Sequence, residues 1–265
     1  MDVKKIPLIS FNSNEQFYDL RKIFNFNINL PLIIAGPCGV EDYEGLDKTA
    51  KFLSKYDIKF LRAGLYKPRS SPYSFQGLRQ DGLSIVKEIS EKYKMIIVSE
   101  IVDTREIEFV SDYIDVFQIG SRNMQNFELL KEVGRLNKPV ILKRGMCSTL
   151  DEFILAAEYI ALEGNRNILM CERGIRTFEN NVRNMLDIAA IALIKKYTKL
   201  PVIADLSHSL GRKDIINEVA KSILALGADG FMVEVHNNSE KALSDKNQQL
   251  NFDEAKILFD GLTLT

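Results

Sequence analysis

The chain lacks an excess of either charge. Its 265 residues carry 35 Lys and Arg against 36 Asp and Glu, a formal net charge of −1. No Lys/Arg-rich tract breaks that balance, so nothing matches the electrostatic footprint of a nucleic-acid binder. Long apolar runs are missing as well. The N-terminus, MDVKKIPLISFNSNEQF, has no apolar signal-peptide core. The most apolar helical stretch, IAAIALI at 188–194, is far too short to span a bilayer, so no membrane partner is expected. Cysteine is scarce: Cys38, Cys147 and Cys171 form no CxxC motif and cannot pair completely, which points to a reducing cytoplasm. No internal repeat or low-complexity linker divides the chain. Its length fits one large domain or two small ones, and 46% hydrophobic residues is ordinary for a soluble globular protein.

A rhythm is present instead. Residues 1–29 are polar, Asn-rich and aperiodic, and read as an N-terminal extension with room for a short hairpin. From residue 30 to 265, short β-rich runs alternate with longer amphipathic ones. The predicted strands are LPLIIAG (30–36), IKFLRAG (58–64), KMIIVSE (94–100), DVFQIGS (115–121), KPVILKR (138–144), NILMCER (167–173), LPVIADL (200–206) and DGFMVEV (229–235). Helical patterns lie between them, such as 149–164, with Thr149 or Ser148 as N-cap and Glu152 near the capping-box position, and 212–227, closed by Gly227. Eight strand–helix units predict an α/β fold, a (β/α)8 TIM barrel. The rival, an open doubly wound sheet, would leave edges to protect, and no GxGxxG follows the first strand. The one long connection, YKPRSSPYSFQG (66–77), has the length of a functional loop.

Barrel enzymes carry their chemistry at the C-terminal ends of the strands, and the charged residues here fall at those ends. Cys38 follows strand 1. Arg62 lies in strand 2, which runs into Lys67 and Arg69. Glu100, Arg122 and Lys143 end strands 3, 4 and 5. Glu172 and Arg173 end strand 6, Asp205 and His208 strand 7, Glu234 and His236 strand 8. Alternation puts Phe231, Val233 and Val235 under the helices, and Met232, Glu234 and His236 toward the barrel axis. Six cations (Arg62, Lys67, Arg69, Arg122, Lys143, Arg173) thus converge on one rim of a near-neutral molecule. They would repel one another without a multiply anionic substrate, with Glu100 and Glu172 offsetting part of the charge. In a closed barrel strand 1 neighbours strand 8. Cys38, His208, Glu234 and Asp245 then meet as a candidate divalent-metal shell, whose mixed soft and hard donors favour Mn, Fe, Co or Zn over Mg or Ca. Taken singly, each has a blander reading, Cys38 as a small buried hydrophobe and His236 as a satisfied core histidine.

The stretches GPCGVE (36–41), LRAGLYKPRSSPYSFQG (61–77), QIGSRNMQN (118–126), LKRGM (142–146), CERGIRTFE (171–179), ADLSHSLGR (204–212) and MVEVHNNSEKALSDKNQQL (232–250) together resemble 3-deoxy-D-arabino-heptulosonate 7-phosphate (DAHP) synthases. The closest likeness is to the short type I subgroup related to 3-deoxy-manno-octulosonate 8-phosphate synthases. The resemblance covers residues 30–262. It implies condensation of phosphoenolpyruvate with erythrose 4-phosphate to DAHP and phosphate, the first step of the shikimate pathway, in a homodimer or homotetramer. It makes Cys38, His208, Glu234 and Asp245 the metal ligands. Arg122 and Arg173, beside Gly120 and Ser121, would hold the phosphoenolpyruvate phosphate. Arg62, Lys67 and Lys143 would surround its carboxylate, Arg69 and Ser70 would take the aldose phosphate, and Glu100 would sit near the reacting carbon and its water. KPRSS, where the octulosonate enzymes have KANRSS, implies the four-carbon aldose. Cys38 implies metal dependence, since metal-independent relatives carry Asn there. Leu206, Ser70 and Asn237 depart from the usual Pro, Thr and Pro, which touches loop geometry and removes no ligand. Some relatives add a ferredoxin-like or chorismate mutase domain for feedback control. With strand 1 starting near residue 30, neither is expected, nor is inhibition by phenylalanine or tyrosine. Other readings are the octulosonate synthase itself, a Schiff-base aldolase using Lys143, and a non-catalytic sugar-phosphate-binding barrel.

Overall fold

Among the residues described by the computed structural model, 2–14, 20–24 and 31–262, eight parallel strands close into a barrel in sequence order. They are β1 (Leu32–Gly36), β2 (Phe60–Arg62), β3 (Ile96–Ile101), β4 (Val116–Ile119), β5 (Val140–Lys143), β6 (Ile168–Glu172), β7 (Val202–Asp205) and β8 (Gly230–Glu234). Each falls inside its predicted run, except that β3 extends one residue further. Closure is direct: β1 pairs with β8 from Leu32↔Gly230 to Gly36↔Glu234. Helices separate the strands and form the outer layer, as the alternating pattern requires. No helix among the described residues is long and apolar enough to cross a membrane.

The period-2 alternation sorts each strand between two cores. Leu32, Ile34, Phe60, Val98, Val116, Ile141, Leu169, Ile203 and Met232 fill the barrel lumen. Their neighbours, among them Ala35, Leu61, Phe117, Leu142, Met170, Phe231 and Val233, pack beneath the helices in a larger cluster. Each fully buried Leu, Ile or Phe contributes about 1.5–3 kcal/mol relative to exposure.

The N-terminal extension is described only in part. Its described residues form no strand. Instead they carry a short 3-10 helix (Val3–Lys5), a bridge from Ser10 to Thr198 and a helix, Leu20–Phe24. Leu20, Ile23 and Phe24 join the lumen cluster, with Phe24 edge-on to Phe60 at 4.6 Å between ring centroids. This helix plugs the N-terminal mouth of the barrel. The rest of the expected hairpin lies outside the described residues.

Local signals hold elsewhere. Thr149 caps the helix Leu150–Leu162 through a full capping box with Glu152. Gly227 follows the helix Ile216–Ala225 at φ 97°. That helix begins later than its pattern, after a turn in which Arg212 forks onto Asp214 at 2.6–2.7 Å. In the apolar helix Ile188–Tyr197, Ala190, Ile191 and Ile194 are core while Ile188 is exposed.

Candidate active site

The barrel closure carries the ends of the chain to one point. Cys38 lies two residues past β1, fully buried, with its backbone N–H donating to Gln249 Oε1 at 2.8 Å. His208 sits in the helical turn Leu206–Leu210 just after β7. Asp205 caps that turn, its Oδ1 accepting from the His208 N–H at 3.0 Å. Glu234 is the last residue of β8, and Asp245 stands in the following loop with a left-handed backbone, φ 46°. One donor atom from each of Cys38, His208, Glu234 and Asp245 lies within 4.8 Å of all the others. Cys38 Sγ is 3.2 Å from Asp245 Oδ2, and His208 Nε2 is 3.6 Å from Glu234 Oε1 and 3.7 Å from Asp245 Oδ2. Such spacings are the edges of a tetrahedron around an ion bonded at about 2.0–2.3 Å.

The electrostatics fit a cation at that point. Burial, reinforced by Glu234, pushes the Cys38 thiol up to about 12, so the thiol keeps its proton until a cation displaces it. Burial lowers the His208 pKa against the pull of Asp205 and Glu234. Asp205 Oδ2 lies 2.9 Å from Nδ1 without hydrogen-bond geometry, and its negative charge favours a ring proton on that side, with the Nε2 lone pair toward the cluster. Glu234 Oε1 is ion-paired with Arg62 Nη2 at 3.0 Å, yet it is buried and receives no hydrogen bond. Asp245 is held down to about 2: burial opposes this, but His208, Arg183 and Lys67 outweigh it.

Beside the cluster opens a cavity of about 300 Å3. Its wall includes all six cations singled out in the sequence, together with Ser70, Gly120, Ser121 and Glu100. Arg62, Lys67, Lys143 and Arg173 are buried, whereas Arg122 and Ser70 stand exposed at the rim. Lys143 Nζ is ion-paired with Asp205 Oδ2. Arg62 Nε and Nη1 are buried donors that find no acceptor among the described residues. An unsatisfied buried guanidinium donor costs about 1–3 kcal/mol or more, and an anionic ligand recovers that cost. Lys67 is raised: burial lowers it, but Cys38, Glu234 and Glu100 more than compensate, so it stays an ammonium.

Glu100 reaches the cavity because residue 120 is glycine. A Cβ at Gly120 would lie 1.9 Å from Glu100 Oε1. Burial raises the Glu100 carboxyl against the pull of Lys67, Lys143 and Arg62, so it exchanges a proton more readily than a surface carboxylate. Gly120→Ala therefore swings Glu100 aside. The expected result is a turnover number reduced at least about tenfold, near 1.4 kcal/mol of barrier, with an unchanged thermal midpoint. Wild-type turnover would show that this carboxylate's position is immaterial.

Two expectations fail here. His236 does not face the axis. The chain turns outward after Glu234, and His236 Nε2 lies 3.7 Å from Glu41 Oε2 while Nδ1 accepts from the Asn238 N–H at 3.0 Å. Nor does Glu172 offset charge in the cavity. It is fully buried behind it, 2.9 Å from Arg144 Nη1, which also contacts Asp187 at 3.0 Å. Residues that went unnoticed in the sequence include Arg183, which lines the cavity from the loop after β6, and Gln248. Gln248 Nε2 donates to Glu234 Oε2 at 2.6 Å and its Oε1 accepts from Arg183 Nη1 at 2.6 Å.

Comparison with known proteins agrees with this geometry. A family model described as the DAHP synthetase I family matches residues 14–260. A phospho-2-dehydro-3-deoxyheptonate aldolase of Thermotoga maritima is 52% identical over 226 residues, 85% of this chain and 67% of that protein. A crystal structure of phospho-2-dehydro-3-deoxyheptonate aldolase (DAHP synthase) from Thermotoga maritima superposes with a TM-score of 0.84 at 50% identity, covering 88% of this chain and 68% of that one. A truncated form of 3-deoxy-D-arabino-heptulosonate 7-phosphate synthase from the same organism gives 0.87 at 43% identity, over 98% and 96% of the two chains. A 2-dehydro-3-deoxyphosphooctonate aldolase of Desulfosudis oleivorans is 29% identical over 249 residues, 87% of this chain and 88% of that protein.

Proposed function

The chain belongs to the DAHP synthetase I family, and on that premise we propose that its cavity joins phosphoenolpyruvate to erythrose 4-phosphate, with a divalent ion held by Cys38, His208, Glu234 and Asp245. The observation that carries the reading is the adjacency of a four-donor cluster and a wall of buried cations in one cavity. A divalent ion there supplies Lewis-acid polarisation of the aldehyde oxygen. Mn, Fe, Co and Zn all suit a thiolate–imidazole–carboxylate set.

The chain's own residues do the rest. Arg122 and Arg173, with the backbone at Gly120 and Ser121, are assigned to the enol phosphate. Arg62, Lys67 and Lys143 are assigned to its carboxylate, for which the unused Arg62 donors stand ready. Arg69 and Ser70 are assigned to the aldose phosphate. Together they cancel the repulsion between two anions. They also fix the enol carbon against the aldehyde, an orientation effect worth about 7–11 kcal/mol. Glu100, with its raised pKa, exchanges a proton with the water that adds at the phosphate-bearing carbon. A Schiff-base route is disfavoured, because Lys67 stays protonated and Lys143 is engaged by Asp205. The free cysteines support a reducing cytoplasm as its compartment.

The octulosonate synthase reading is weaker, resting on relatives near 29% identity against 52%. Phosphate release from phosphoenolpyruvate with each aldose separates the two. Erythrose 4-phosphate is expected to be preferred over arabinose 5-phosphate by at least about 100-fold in kcat/KM, near 2.7 kcal/mol of transition-state discrimination. Chelator should abolish turnover and a divalent ion restore it. Preference for the pentose would overturn the aldose assignment, and chelator resistance the metal assignment.

A further inference from the structure

Asp245 belongs to two environments at once. Its Oδ2 faces the donor cluster, 3.2 Å from Cys38 Sγ and 3.7 Å from His208 Nε2. Its Oδ1 faces two guanidiniums, Arg183 Nη1 at 3.4 Å and Arg69 Nη1 at 3.9 Å. Neither contact is a close bidentate fork, so each guanidinium keeps donors to spare. The two arginines come from different loops, those after β2 and β6, and both line the cavity. Arg183 is also fixed from behind. Its Nη1 donates to Gln248 Oε1 at 2.6 Å, and Gln248 in turn donates to Glu234 Oε2. Gly211 leaves it room: a Cβ there would lie 2.5 Å from Arg183 Cβ. An arginine tied through one amide to a cluster carboxylate, and sharing a second carboxylate with Arg69, is more ordered than a solvated surface arginine.

We propose that Arg183 is a specificity-determining residue, which together with Arg69 clamps the phosphate of the aldose while the aldehyde end lies at the donor cluster. The inference rests on the functional reading above and deepens it. Asp245 sets the geometry, since one of its oxygens marks the aldehyde end and the other marks the clamp. A cation at the cluster draws on the Asp245 charge and leaves the two guanidiniums in need of an anion, which the phosphate dianion provides.

The test compares erythrose 4-phosphate with unphosphorylated erythrose in wild-type enzyme, Arg183→Ala and Arg183→Lys, with phosphoenolpyruvate saturating and metal content measured in each. Wild-type turnover of erythrose 4-phosphate with phosphoenolpyruvate is the control on the functional reading, and its absence would remove that reading itself. Given that activity, Arg183→Ala should lower the phosphorylated-to-unphosphorylated ratio of kcat/KM by about 10- to 100-fold, the scale of one lost charge-assisted contact. The loss should appear mainly in the KM for erythrose 4-phosphate, with the KM for phosphoenolpyruvate within about twofold of wild type. Arg183→Lys should recover part of the ratio. If the ratio is unchanged while both aldehydes lose activity equally, Arg183 acts only through Asp245 and the proposal fails. A shift confined to the KM for phosphoenolpyruvate would move Arg183 to the other substrate and equally overturn it. Should Arg183→Ala not fold, Arg183→Gln carries the same comparison.

Discussion

Cys38→Ala is expected to purify folded, to lose its divalent ion, and to fall at least about 1,000-fold in turnover. The size follows from the contribution at stake: Lewis-acid stabilisation of a developing alkoxide is worth several kcal/mol, and about 4 kcal/mol is three decades of rate. Folding should survive because the Cys38 side chain contributes little else. Its Sγ contacts one carboxylate, Asp245, while the backbone N–H to Gln249 is indifferent to the side chain. A stability change of about 1 kcal/mol is the ordinary scale for such a truncation. A second readout avoids activity altogether. With its pKa pushed up to about 12, the thiol is protonated at pH 7, so each ion bound as thiolate should release about one proton. Calorimetric titration in buffers of different ionisation enthalpy counts that proton in the wild type and should find it missing in Cys38→Ala. Retention of most activity after chelation and reconstitution, or proton-free binding in the wild type, would remove the thiolate from the ligand set.

The fold was almost wholly legible because parallel barrels write the same message eight times. Runs such as LPLIIAG and DGFMVEV recur between amphipathic stretches, and the strands fall within them to about a residue. The donor cluster was legible for a topological reason. Once the barrel closes, Cys38 and Glu234 must be neighbours, whatever the intervening sequence. Failures came where the strand period no longer applies. Alternation sends His236 to the axis two residues past Glu234, but β8 ends at Glu234 and the chain turns outward. Glu172 is the converse case: it lies inside β6, where alternation with Met170 turns it outward to Arg144 behind the wall, and its place at a strand end misleads. Arg183 and Gln248 were invisible for a different reason. They stand in loops, where no periodicity fixes direction, and their partners lie 62 to 65 residues away or across the barrel mouth. The N-terminal plug was missed because Leu20, Ile23 and Phe24 span too short a stretch to display a helical period.

Asp205 is the buried carboxylate on which both halves of the site depend, and Asp205→Ala is expected to cost about 3–5 kcal/mol of stability along with most of the activity. Its two oxygens divide the work. Oδ1 caps the His208 turn, and Oδ2 faces both the Lys143 ammonium and His208 Nδ1. The whole side chain is inaccessible to solvent, and Lys143 is nearly so. Removing one partner of a buried pair leaves the other charge uncompensated, which sets the expected loss. His208 and Lys143 outweigh the burial that would raise the Asp205 carboxyl, and hold it well below the usual carboxylate range. Its contribution is therefore present above the unfolded value near pH 3.9 and disappears as pH falls through the lower folded value, so the gap between wild type and variant should narrow in strong acid. Asp205→Asn isolates the tautomer. Asn has one oxygen, and if that oxygen keeps the His208 cap, its NH2 turns toward Lys143 and Nδ1. Nδ1 must then accept, the ring proton moves to Nε2, and the lone pair offered to the cluster is lost. Asn should therefore bind the ion about 10- to 100-fold more weakly, while urea unfolding of the metal-free protein shows a smaller loss than for Ala. An Asp205→Asn enzyme that bound cobalt as tightly as wild type, with an unaltered thiolate-to-metal absorption band, would mean that His208 needs no orienting carboxylate.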